Sequence, residues 1–133
     1  MIQQAIKTIL TENDDVAGLV GDRIAPLSQA QFDALPFITY RIADIETIDT
    51  HSGSSGFQKT TFEIECFAES YKEAASLSLK VKLALGYYKG SVGSNDISVI
   101  LSTGNSELSE TPLDGTEIPV YRLSSDYLVL HKE

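Results

Sequence analysis

Between positions 37 and 45 the chain alternates, with Ile38, Tyr40 and Ile42 on one side of an extended backbone and Thr39 and Arg41 on the other. A period of two is the signature of a strand with one buried face. The pattern returns from 61 to 67, where Phe62, Ile64 and Cys66 turn inward and Thr61, Glu63 and Glu65 outward. Pro36 opens the first stretch, and Thr50, His51, Ser52, Gly53, Ser54, Ser55 and Gly56 lie between the two. That polar, glycine- and serine-rich interval predicts an antiparallel hairpin with a long flexible tip.

Helical spacing appears on both sides of the hairpin. Ile2, Ala5, Ile6, Ile9 and Leu10 make one apolar stripe, which predicts an opening helix. The run 11–15 interrupts it, and Asp14 or Asp15 is expected to cap a short second helix that carries Val16, Leu19 and Val20 and ends at Gly21. After the hairpin, Ser70 supplies an N-cap oxygen and Glu73 completes the capping-box spacing. Ala74, Leu77, Val81, Ala84 and Leu85 then form the buried stripe of a long helix that Gly86 ends. Tyr87, Tyr88, Gly90 and Gly93 read as a turn-rich link.

Further strands are expected at 97–102 and 120–131, and a short one at 23–27. In the last, Tyr121, Leu123, Tyr127 and Val129 point one way while Leu128 and Leu130 point the other. Its end therefore reads as buried on both faces, either as the central strand of the sheet or with a neighbouring subunit against it. Tyr127, Leu128, Val129 and Leu130 are candidates for a subunit interface. The interval 103–117, with Glu107, Glu110, Asp114 and Glu117 and no basic residue, is long for a loop inside one domain and reads as either functional or disordered. The expected fold is α+β: a single domain over 1–133, with a mainly antiparallel, mixed sheet of four to five strands and the N-terminal and long central helices on one face.

Charge and chemistry narrow the functions. Nineteen acidic residues against ten basic ones give a formal net charge of −9. That is the wrong sign for holding duplex DNA through its phosphates, and it serves solubility or the repulsion of polyanions. Cys66 is the only cysteine, so no internal disulfide forms, and its place in an alternating strand makes it a structural thiol. Asp14, Asp15 and Asp22 lack the ligand spacing of a calcium loop, and His51 and His131 lack the spaced partner that zinc needs. Ser52, Ser54 and Ser55 stand beside His51 without a nucleophile elbow, and strand alternation accounts for Glu63 and Glu65. Gly86, Gly90 and Gly93 follow a helix instead of opening one, so they build no phosphate site. No catalytic residue, cofactor or metal is assigned. Apolar runs are too short to span a bilayer and nothing at the N-terminus reads as a signal peptide, so the protein is expected to remain where it is made, with no membrane partner.

Taken in order, the opening helix with the run 16–24, Ala34-Leu35-Pro36-Phe37-Ile38-Thr39-Tyr40, the 51–56 loop, the run 62–74 and the closing run 120–131 resemble the tail-completion family of long-tailed phages. These are the tail-terminator or head-tail joining proteins, and the likeness runs along nearly the whole chain. It implies a non-enzymatic structural protein, assembled as a hexameric ring that caps the tail tube, ends its polymerisation and presents its other side to the head's stopper or connector protein. The expected partners are therefore further copies of the chain, the tube protein and the stopper, with DNA passing through the lumen without specific binding. The expected location is the host cytoplasm during assembly and then the head-proximal end of the tail in the virion. In that setting the segment 50–56 is a candidate partner-binding loop, and Glu107, Glu110, Asp114 and Glu117 are candidates for the lumen wall. The alternatives are a head-completion or minor capsid component and, in another class, a small acidic regulatory or ligand-binding domain.

Overall fold

The chain opens with two helices, α1 (Ile2–Glu12) and α2 (Asp14–Val20), in a computed structural model that describes residues 2–21, 23–26, 36–50, 53–93, 95–105, 109–112 and 119–132. The five residues of the predicted stripe, Ile2, Ala5, Ile6, Ile9 and Leu10, are the buried face of α1. The cap of α2 is Asn13, one residue before the expected aspartates: its side chain accepts the Val16 N–H at 3.1 Å. Asp14 and Asp15 instead occupy the first turn, where a negative charge meets the positive end of the helix dipole. Gly21 ends α2 with a positive φ of 59°, a backbone region that glycine enters without a Cβ clash.

The sheet is larger than the expected four to five strands. Its strands are β1 (Ile24–Pro26), β2 (Phe37–Thr50), β3 (Gly53–Ala68), β4 (Gly90–Val92), β5 (Asn95–Asn105), β6 (Ser109–Pro112) and β7 (Pro119–Lys132). Six of them follow one path, β1-β2-β3-β7-β5-β4, and β6 pairs with the first residues of β7. Among the described strands only the β1–β2 pairing is parallel. The link after the central helix thus contains β4, and the interval 103–117 is not all loop: it takes in the end of β5 and the whole of β6. The hairpin also departs from expectation. Its strands pair as far as Thr50 with Gly53, so residues 50 and 53–56 belong to strands and the tip is short.

Helix α3 (Tyr71–Leu85) packs on β3, β7 and β5, and α1 and α2 pack beside it, which puts the helices on one face of the sheet. Ser70 caps α3 by accepting the Glu73 N–H at 3.2 Å. Ala74, Leu77, Val81 and Leu85 are buried, and Ser78 joins them through a 3.3 Å contact between its Oγ and that of Ser125 on β7. Beneath the helices lie Ile38 and Tyr40 of β2, Phe62, Ile64 and Cys66 of β3, Ile97 and Ile100 of β5, and Tyr127 and Val129 of β7. Burying each large side chain there contributes about 1.5–3 kcal/mol. Arg23 ties the first layer to the sheet, donating to the carbonyls of Leu19 at 3.2 Å and Pro36 at 2.9 Å.

The exit from α3 is tight. A Cβ on Gly86 would stand 2.7 Å from the Lys82 carbonyl oxygen, so the close turn requires glycine. Tyr87 follows at φ 60°, the one non-glycine residue with positive φ among those described. A bulky residue there carries about 1–2 kcal/mol of strain. Its N–H donates to the Ile100 carbonyl at 2.7 Å and the Ile100 N–H donates to the Tyr88 carbonyl at 3.2 Å, which fixes the end of α3 to β5.

Candidate functional site

Cross-strand register decides what each face of the sheet presents, because directly paired residues share a face. On the face opposite the helices, Thr39 pairs with Glu65 and Glu65 with Ser124, while Arg41 pairs with Glu63 and Glu63 with Asp126. Leu128 and Leu130 of β7 pair with Leu101 and Val99 of β5 on this same face. Two zones result. One is a charged row across β2, β3 and β7, and the other is an aliphatic quartet on β5 and β7.

Within the charged row Glu63 and Glu65 are partnered by neighbouring side chains. Arg41 Nη2 donates to Glu63 Oε2 at 2.7 Å, Arg122 Nη1 stands 3.7 Å from Glu65 Oε1, and Ser124 Oγ donates to that same oxygen at 3.3 Å. Glu65 is nevertheless buried, and desolvation raises its carboxyl above the ordinary carboxylate range; the neighbouring Glu63 adds to the rise, and Arg122 and Ser124 oppose it. Phe37 and Phe67 stack beside the row with ring centroids 4.6 Å apart. Burial pushes the thiol of Cys66, on the helix side, up to about 12; it is a packed core thiol, far from the thiolate that nucleophilic chemistry needs. Among the described residues no group of three or more His, Cys, Asp and Glu side chains is placed to hold a metal ion. A shallow depression beside the start of α3, lined by Leu19, Ser70, Lys72, Glu73 and Ser76, brings no set of reactive groups together.

The predicted site residues fall in different places. Tyr127 and Val129 belong to the core under the helices, whereas Leu128 and Leu130 are half-buried on the opposite face. β7 is hydrogen-bonded on both sides, to β3 and to β5, so it is a central strand whose second face carries the quartet. Thr50, Gly53, Ser54, Ser55 and Gly56 sit at the outer end of the hairpin, and His51 and Ser52 lie outside the described residues. Glu110 is in β6, paired in register with Tyr121, and Glu107, Asp114 and Glu117 lie outside the described residues.

Two further surfaces escaped the sequence reading. The first is the outer side of α3 and its exit, where Tyr71, Leu79, Leu83 and Tyr87 are exposed large apolar residues, up to 79% for Tyr87. With Ala75 they recur every four residues, the spacing of a helix ridge, a signal hidden beside the stronger buried stripe. The second is the outer hairpin. β1 covers the edge of β2 only at residues 38–40, and beyond it Ala43, Asp44, Ile45, Glu46 and Thr47 are exposed, Ile45 by 54%. Alternation fades there, and the strand is held by pairing with β3.

The architecture is that of a two-layer α+β domain, three helices on one face of a curled mixed sheet. A solved chain from the virion of a native gene transfer agent particle shares it: the TM-score is 0.76 at 13% identity, over 99% of this chain and 95% of that one. At that identity the likeness establishes the fold. No protein-family model and no curated protein matches the sequence.

Among the described residues no helix is long and apolar enough to cross a membrane.

Proposed function

We propose that the chain is a structural component of a phage-like virion, a tail terminator of which six copies close into a ring on the end of the tail tube. The observation that carries this reading is the likeness along almost the entire length to a chain of a gene transfer agent virion, joined to the order of sequence segments that resembles the tail-completion family. Uncommitted surfaces support it: the exposed ridge of α3, the exposed edge of β2 around Ile45 and the aliphatic quartet on the open sheet face. A ring of identical subunits needs two different patches on each copy, one meeting the other around the circle. The remaining surfaces are then available to the tube on one side and the head's stopper protein on the other, with the outer hairpin around residues 50–56 as a docking element.

On this reading the acidic segment with Glu107, Glu110, Asp114 and Glu117 lines the lumen, where negative charge keeps passing DNA from adhering. Assembly takes place in the host cytoplasm and the finished ring stays at the head-proximal end of the tail. Light scattering on the purified chain, alone and with its tail tubes, and negative-stain images of both test the proposal. Sixfold rings, or caps at one end of the tubes, are the expected result. A chain that stays monomeric and ignores the tubes overturns it, and particle images placing the chain within the head would make it a head-completion protein.

A further inference from the structure

Two of the exposed apolar residues, Ile45 and Tyr87, stand at opposite ends of one row of the sheet. By register Ile45 pairs with Thr60, Thr60 with Val129, and Val129 with Ile100. Beyond Ile100 the row continues into Tyr87, whose N–H donates to the Ile100 carbonyl at 2.7 Å. Ile45 and the exit of α3 therefore face opposite sides of the domain, with three strand spacings, roughly 14 Å, between Ile45 and Ile100. α3 lies over β3, β7 and β5, so the rest of its ridge is on the outer side of the helix layer, apart from the β2 edge.

The charges of these two ends are complementary. Segment 71–89 holds four lysines, Lys72, Lys80, Lys82 and Lys89, against the single carboxylate of Glu73. Lys80 and Lys82 follow Leu79 and precede Leu83, which places them on the two flanks of the ridge. At the other end Ile45 stands between Asp44 and Glu46 on a stretch of edge strand that no other described strand covers on its outer side. None of these lysines, nor Asp44 or Glu46, forms an ion pair among the described residues. The open sheet face carries both signs, Arg41, Arg122, Lys59 and Lys132 with Glu63, Glu65 and Asp126, so it offers the lysine-flanked ridge no such one-signed complement.

We infer that the occupant of the α3 ridge is the outer hairpin of a second copy of this chain, with Ile45 against Leu79 and Leu83 and the carboxylates of Asp44 and Glu46 beside the flanking lysines. This rests on the ring reading and names its contact. The contact is heterologous: each copy offers its ridge to one neighbour and its hairpin to the other, so association continues until the circle closes. Tyr87 extends the ridge toward the sheet edge, held in its left-handed conformation by the bond to Ile100.

Cysteine pairing tests the inference, because Cys66 is buried and takes no part in it. In the full chain, Ile45→Cys and Leu83→Cys variants are oxidised mildly, separately and mixed, with tail tubes added in a parallel set. The expected result is no disulfide dimer from either variant alone, a dimer from the mixture, and from the double variant a ladder ending at the ring number. Charge reversal gives a second readout: Asp44→Lys with Glu46→Lys, or Lys80→Glu with Lys82→Glu, is expected to weaken assembly about tenfold at low salt, and mixing the two reversed chains to restore it. Circular dichroism confirms that each variant folds. Rings that form without the mixed disulfide, or that link Leu83→Cys to Leu101→Cys instead, overturn this contact and leave the ring reading standing. A chain that is monomeric in every condition overturns both.

Discussion

The two halves of the long hairpin are built from the same pair of strands and live under different rules. In the inner half, Ile38, Tyr40, Phe62, Ile64 and Cys66 are buried under the helices, and β1 and β7 flank the pair. In the outer half, Asp44 to Thr47 are exposed and β2 has no described strand on its outer side. Pairing continues without a break in either, apart from bulges between Ile42 and Asp44 and between Ile48 and Asp49. Hydrogen bonding thus carries much of the pairing outward, while the free energy of apolar burial is concentrated inward. An element extended past its own core costs conformational entropy without an equal return from burial, and a partner that buries the outer half restores that return.

The widest difference between the halves comes from cutting back Phe62, which is fully buried. Phe62→Ala is expected to cost about 3–5 kcal/mol, from lost transfer energy and the cavity left behind. Urea unfolding followed by circular dichroism measures it. A cost under about 1 kcal/mol would mean that the inner half is no better anchored than the outer one.

A pH series sharpens the comparison within the inner half, whose second face buries Glu65. Its carboxyl is raised in the fold by desolvation, so the native state holds its proton to higher pH than the unfolded chain does. Between the ordinary glutamate value and the raised one the native state binds more protons, and stability falls as pH rises through that window. Glu65→Gln keeps an acceptor for Ser124 and removes the buried charge. It is expected to flatten that fall and to gain about 1 kcal/mol or less at neutral pH, measured by thermal melts from pH 4 to 8. A loss at neutral pH would show that the pairing with Arg122 outweighs desolvation.

Arg41 and Glu63 sit at the boundary of the halves, with 46% and 24% of their side chains exposed and a 2.7 Å contact. A double-mutant cycle with Arg41→Ala and Glu63→Ala is expected to give a coupling of about 0.2–1 kcal/mol, reduced by salt, as for exposed pairs. A larger coupling that resists salt would place this point of the hairpin within the protected half.

The same contrast explains what could be read from the chain. The inner half, the capped helix after Ser70 and the stripe of α1 were legible because burial writes a period into the sequence, and the core residues follow that period. The outer half was not, since Asp44 to Thr47 have partners in β3 but are exposed. β4 and β6 have three and four residues, too few to show a period, and their place is set by register with β5 and β7. Leu128 and Leu130 were visible as a second apolar face, but strand order had to show that β5 adds Val99 and Leu101 to it. The ridge of α3 was present at every fourth residue and was masked by the buried stripe on the same helix.

Ile45 is where fold and function separate. It pairs with Thr60 in β3, and 54% of it is exposed. Ile45→Thr retains a β-branched residue, so strand propensity is nearly unchanged and only apolar surface already in contact with water is removed. Stability of the isolated chain is expected to change by no more than about 0.5 kcal/mol, the smallest effect in the series, in the same urea titration used for Phe62→Ala. If the residue serves a neighbouring copy, this substitution weakens assembly while leaving that titration in place. A loss above about 1 kcal/mol in the isolated chain would instead make Ile45 part of the fold's own packing, and the hairpin's outer half would be stabilised from within.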